Sequence, residues 1–274
     1  MPLVIYTAFA FIPFAATLVL SLYDWDGLTS PSFIGLSNFA DLARDAVFRN
    51  ALGNNFSFTI FYSFIPITLA LFLAALIADS ARLRSVRIYR LLLFVPYVMP
   101  MVVLGVIWRW IYSPLSGPVN AVITATGRDP FPILGDTTTA LPAIGLVGTW
   151  VMYGFAMILF IAGIQKIDTA LYDAARVDGA NRLKRFRFVT LPGLRNEITV
   201  ALIVTLATAL RVFDLVFVMT RGGPARSTDV VAFYIFRTAF NNREVGLGAA
   251  AAAVLVGIIF VASLVILRFR TSES

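Results

Sequence analysis

The chain contains no cysteine and no histidine. Their absence excludes disulfides, thiol nucleophiles, zinc centres built on these ligands and histidine acid–base chemistry. Lysine is almost as scarce: Lys166 is followed by Ile167 and Lys184 by Arg185. The Gly-Lys-Ser/Thr needed to cradle a nucleotide's phosphates therefore cannot be assembled. This chain is not expected to be an enzyme or to hold a cofactor. Charged residues are also few. They make up 14% of 274 residues against 59% hydrophobic, whereas soluble domains carry about 25% and about 45–50%. A net charge of +7 does not mark a nucleic-acid binder here, because the basic residues lie between apolar blocks and have no interleaved aromatics. No basic stretch precedes Leu3–Leu22, and no small-residue pattern precedes Tyr23-Asp24-Trp25-Asp26, so a cleavable leader is not expected.

What remains is apolar, in blocks as long as the ~20 residues that carry a helix across a bilayer. Six segments qualify: Leu3–Leu22, Phe56–Ala78, Leu91–Ile111, Leu141–Ile164, Ile198–Met219 and Val245–Leu267. The expected fold is all-α, a polytopic membrane protein forming one transmembrane domain over residues 1–274. Pro66, Pro96 and Pro100 fall inside spans and predict kinks that neighbouring helices must cover.

Short basic loops stay cytoplasmic. One alternating set of regions holds Arg82, Arg84, Arg87 and Arg90, then Lys166, Arg176, Arg182, Lys184, Arg185, Arg187 and Arg195, then Arg268 and Arg270. The other set holds Arg44, Arg49, Arg128, Arg221, Arg226, Arg237 and Arg243. The bias predicts both termini inside, with 23–55, 112–140 and 220–244 outside.

Between the fourth and fifth spans, residues 165–196 form the longest cytoplasmic segment. Asp173-Ala174-Ala175 favours a helix, and its small side chains permit close approach by another surface. Gly179 supplies a backbone reversal. A second helix presents Leu183, Phe186 and Val189 opposite a basic face, and Pro192 ends it. From periodicity alone the segment is either a membrane-surface helix or a docking element.

Its spacing resembles the EAA loop of ABC-importer permeases, in which Glu-Ala-Ala is followed after three residues by Gly and after nine more by Ile-x-Leu-Pro. Here Asp173-Ala174-Ala175, Gly179 and Val189-Thr190-Leu191-Pro192 keep the spacing, with Asp for Glu and Val for Ile. Phe33-Ile34-Gly35-Leu36-Ser37-Asn38-Phe39, and Phe213-Asp214 followed by Thr220-Arg221-Gly222-Gly223-Pro224, resemble motifs of the carbohydrate branch, the first permease subunit of maltose/glycerol-3-phosphate-type systems. The resemblance implies a permease in the bacterial cytoplasmic membrane. Its expected partners are a second homologous permease in a heterodimer, two ATPase subunits holding ATP and Mg, and an extracytoplasmic solute-binding protein. It also implies that Asp173, Ala174, Ala175, Gly179 and Pro192 couple ATPase closure to the spans.

In the fifth span, Thr205, Thr208 and Val212 share a helical face with Ala209 beside them, which suits a solute cavity or close helix packing. The resemblance adds Gly148, Met152 and Phe155 near Trp150 as path candidates. Trp150 or Phe155 would stack on a sugar ring, while Trp108 and Trp110 read as an interfacial anchor. Arg211 and Asp214, three residues apart, are expected to pair; alternatively Arg211 meets an anionic cargo such as glycerol-3-phosphate or a glycerophosphodiester. A gradient-driven transporter or channel is the remaining alternative, opposed by Asp214 being the only acid well inside a span.

Overall fold

The computed structural model describes residues 2–78 and 93–271. The basic residues Arg82, Arg84, Arg87 and Arg90, and the start of the expected third span at Leu91, lie outside the described residues. Among the described residues, five helices are long and apolar enough to cross a membrane: Leu3–Leu20, Ala46–Ala74, Ala140–Ile164, Arg195–Met219 and Val245–Arg268.

The expected third span differs. Helix 93–98 stops at Met99–Pro100, and a separate helix runs over Met101–Ile111. Pro100 sits before the new helix with φ −59° and ψ 131°, an extended conformation from which its ring starts a helix but cannot continue one. The fifth span is also broken. Helix Arg195–Leu210 ends, Arg211–Phe213 are non-helical, and Asp214–Met219 begins a short second piece. The second span starts ten residues earlier than its apolar run, at Ala46, because Asp45 caps it by accepting the Val47 N–H at 2.7 Å.

Helix Ala140–Ile164 is the axis of the bundle, with 72% of its apolar window buried. It packs along the second span, where Gly145 and Gly148 leave room for the rings of Phe61 and Tyr62. One core joins Phe58, Leu104, Ile144, Val147 and Leu215 at this junction. A second, Ile67, Met157, Phe160 and Leu194, fills the end nearer residues 165–196. A third, Leu42, Phe48, Leu210, Val231 and Leu255, holds the last helix against the fifth span. By contrast, none of the window in Leu3–Leu20 is buried, which leaves its Phe9 and Phe11 to the surroundings.

Outside the spans, Tyr23–Asp24 and Ser32–Phe33 pair as a short antiparallel ribbon. Asn38, buried, ties this ribbon to the bundle by donating to the carbonyls of Ser21 and Tyr23, each at 2.9 Å. Gly35 supplies the left-handed residue at φ 61° between them. The motif at residues 33–39 is thus a structural joint.

Candidate functional site

The segment between the two central helices folds as a helical hairpin. Asp168 caps helix Thr169–Val177 through the Ala170 N–H at 2.9 Å, and Asn181 caps the next helix through the Lys184 N–H at 2.9 Å. Gly179 between them has φ +72° with nothing near its missing Cβ. Its need is therefore conformational, not steric. The Gly179 and Ala180 N–H groups return to the carbonyls of Arg176 and Ala175, which closes the first helix.

The second half departs from a simple amphipathic helix. Arg182–Arg185 leads into a π-helical turn over Phe186–Thr190, where the Leu191 N–H donates to the Phe186 carbonyl. The wider turn rotates the following side chains, so Phe188 is exposed while Phe186 and Val189 are half-buried. Pro192 does not end the helix. It lies within Leu191–Gly193, and the chain turns at Leu194, whose side chain is fully buried. Leu194 packs where Gly163 leaves space, and Lys166 pairs with Glu197 at 3.2 Å across the same corner.

Asp173 and Arg176 form an exposed pair at 2.7 Å. Ala174 is exposed and Ala175 half-buried beside it. Tyr172 and Thr190 share a hydroxyl hydrogen bond at 3.0 Å that clasps the two halves. Leu171, Val177, Leu183 and Phe188 stand exposed on this hairpin.

A second feature lies where the spans are irregular. The π-helical turn Ile60–Phe64, the start of Met101–Ile111 and the break at Arg211–Phe213 meet around a cavity of about 260 Å³. Tyr62, Met101, Thr208, Arg211, Val212, Phe213, Asp214 and Leu215 line it. The break is held by Asn55, fully buried, whose amide donates to the carbonyls of Ala209 (3.2 Å) and Leu210 (2.9 Å) and accepts the Val231 N–H (2.8 Å).

Three of the sequence-derived path residues, Thr208, Val212 and Arg211, reach this cavity. Thr205 is fully buried and hydrogen-bonded to Ser63 and to the Ala201 carbonyl, so it joins the two helices. Ala209 is buried at the helix end and Met152 in the core. Gly148 lies under the ring of Tyr62. Phe155 stacks on Tyr97 at 5.2 Å, and Trp150 meets Trp108 edge-on at 5.5 Å.

The expected Arg211–Asp214 pair does not form. The helix ends between the two residues, and among the described residues Arg211 donates its Nε–H only to the Ala207 carbonyl, at 3.2 Å. Tyr62, which lines the cavity, carries no mark in the sequence that separates it from the tyrosines of other spans.

Above the break, the Thr220-to-Pro224 motif opens a compact loop. Arg221, Ala225 and Arg226 adopt left-handed conformations at φ 51°, 46° and 64°. Asn50 and Asn54 clamp it by donating to the carbonyls of Arg226 (2.9 Å) and Asp229 (2.8 Å). Asp229, fully buried, pairs with Arg237 at 2.8 Å. Burial raises its carboxyl above the ordinary range, with the Arg237 hydrogen bond and charge opposing.

The model of the binding-protein-dependent transport system inner membrane component family matches residues 67–272. The chain belongs to that family. Proteins similar to it include the probable ABC transporter permease protein YurN of Bacillus subtilis, 32% identical over 98% of this chain and 93% of the relative. The diacetylchitobiose uptake system permease protein NgcF of Streptomyces coelicolor is 35% identical over 98% of this chain and 80% of the relative. The lactose transport system permease protein LacF of Rhizobium radiobacter is 34% identical over 97% and 90%. A solved chain from a bacterial ABC transporter importing the acidic polysaccharide alginate has the same fold, with TM-score 0.82 and 24% identity over 98% of this chain and 92% of its own. As a family member, the chain is a transmembrane component of an ABC transporter and not its catalytic subunit.

Proposed function

We propose that this permease carries a neutral sugar, as a mono-, di- or oligosaccharide, from an extracytoplasmic binding protein across the cytoplasmic membrane. In this reading the single domain has six spans, the third being the interrupted pair 93–98 and Met101–Ile111, and both termini are cytoplasmic. The hairpin within 165–196 is the coupling element, docking on one of two ATPase subunits that hold ATP and Mg. Asp173, Ala174 and Ala175 form its contact surface, Gly179 its reversal and Pro192 part of its exit into the fifth span. A second homologous permease completes the path.

The observation that carries the coupling role is the exposed hairpin itself. It displays Leu171, Val177, Leu183 and Phe188 in a loop that is tied by Lys166–Glu197 to helix Arg195–Leu210, whose far end carries the cavity residue Thr208. Pushing on the hairpin therefore moves the walls of the cavity. The cargo class is supported by relatives whose names specify diacetylchitobiose and lactose. It is also supported by the cavity lining, where Asp214 accompanies Arg211 and offsets its charge. A phosphorylated cargo would face that carboxylate.

Melting the cognate binding protein against a panel of sugars, polyols and glycerol phosphates tests the cargo class. Stabilisation by a neutral sugar is expected. Stabilisation by glycerol phosphates alone would contradict it.

A further inference from the structure

We propose that Tyr62 is a specificity-determining cargo contact whose hydroxyl hydrogen-bonds a hydroxyl group of a sugar unit in the cavity; this rests on the sugar-importer reading above. Tyr62 is 1% exposed, yet its hydroxyl has no hydrogen-bond partner among the described residues. It lines the cavity together with Thr208, Arg211 and Asp214. A buried hydroxyl left unpaired is costly, and phenylalanine would fill the same ring volume without that cost. Packing accounts for the ring and leaves the oxygen unexplained.

The ring is held from several sides. The π-helical turn Ile60–Phe64 sets its direction, and Thr149 anchors that turn by donating to the Phe61 carbonyl at 2.6 Å. Phe58 meets the ring edge-on at 5.9 Å, and Gly148 lacks the side chain that would displace it. A group positioned this firmly spends little entropy on contact.

The chemistry of the lining selects the occupant. The phenol both donates and accepts, Asp214 accepts, Arg211 donates, and Thr208, already donating to the Val204 carbonyl, keeps its lone pairs. Sugar hydroxyls both donate and accept and match all four. Met101, Val212 and Leu215 offer apolar wall to the C–H faces of the ring. A molecule without hydroxyls would leave the polar groups unpaired, a mismatch that sites of this kind reject strongly.

The test uses the complete transporter, with its second permease, ATPases and binding protein, in proteoliposomes containing ATP. Uptake of radiolabelled maltose, lactose, trehalose and diacetylchitobiose is measured separately for wild type, Tyr62→Phe and Tyr62→4-aminophenylalanine, alongside the melting temperature of each complex. For the sugar that wild type carries, Tyr62→Phe should lower uptake by about tenfold or more without a fall in melting temperature. The amino analogue, which keeps a donor at that position, should restore uptake to within about threefold of wild type. Equal uptake by Tyr62→Phe would show that the hydroxyl meets only water and would overturn the inference. A loss accompanied by lower melting temperature, or not restored by the amino analogue, would overturn it too. A binding protein stabilised by glycerol phosphates and by no mono-, di- or oligosaccharide would instead sink the sugar-importer reading, and this contact with it.

Discussion

At the scale of single residues, the buried charges of the loop that follows Asp214–Met219 have a measurable signature. Burial holds the Asp229 carboxyl above its ordinary value of 3.8, although Arg237 donates to it. The folded state therefore binds the Asp229 proton more tightly than the unfolded state. The sign of the linkage is that stability from this group is fully present below pH 3.8 and is lost as pH rises through the raised folded value. Melting wild type and Asp229→Asn in parallel from pH 4 upward should show the wild-type temperature falling relative to the variant. A wild-type melting temperature that rises relative to the variant as pH increases would contradict the assignment. Removing Arg237 instead, as Arg237→Gln, leaves the carboxylate alone and should destabilise the protein by about 3–5 kcal/mol at neutral pH.

Residue identity alone did not reveal this arrangement. Asp229 lies in an ordinary turn sequence, and its partner is eight positions away on a helix whose start depends on Asn55. Tyr62 was hidden for a related reason. It sits between Phe61 and Ser63 in an ordinary span sequence, so only the third dimension shows that its side chain borders the cavity with its hydroxyl unpaired among the described residues. The Gly179 reversal was legible because a left-handed turn leaves its own mark in sequence.

At the scale of elements, the helix break at Arg211–Phe213 depends on one side chain from another span. Asn55 satisfies two carbonyls at the end of Arg195–Leu210 and the N–H that starts Val231–Phe236. Asn55→Ala strands these groups in a dry interior. Leaving one such group unpaired costs about 1–3 kcal/mol, so the combined loss should reach about 3 kcal/mol or more. Denaturant titration in detergent measures it. A change below about 1 kcal/mol would mean that water replaces the amide.

Apolar length marked six segments, and five of them fall in helices that are, among the described residues, long and apolar enough to cross a bilayer, since such a crossing needs about 20 predominantly apolar residues. It did not locate the breaks with equal success. Pro100 announced a kink, and the structure makes it a full interruption. Arg211-Val212-Phe213 contains neither proline nor glycine, so its interruption was invisible until Asn55 was seen to cap it. The π-helical turns at Ile60–Phe64 and Phe186–Thr190 were equally silent, since one extra residue per turn barely disturbs an apolar pattern. The second of them displaced the expected apolar face of the hairpin and exposed Phe188.

At the scale of the whole molecule, orientation follows from the distribution of arginine. The absence of cysteine makes each introduced thiol unique, which suits a direct test. Leu115→Cys, on the side expected outside, should react with a membrane-impermeant maleimide in intact cells. Val177→Cys, on the hairpin, should react only after permeabilisation. Both positions are highly exposed, at 97% and 88%, so access and not burial decides the outcome. The reverse pattern would invert the topology and remove the hairpin from the reach of a cytoplasmic ATPase.

Whether the chain forms a path moved by another protein's ATP is decided by purification followed by reconstitution. The tagged chain should bring down a second permease and a pair of ATPase subunits. Proteoliposomes of that complex should then accumulate sugar only when both ATP and the binding protein are supplied. Sugar accumulation by the purified chain alone, driven by an ion gradient and indifferent to ATP, would contradict it.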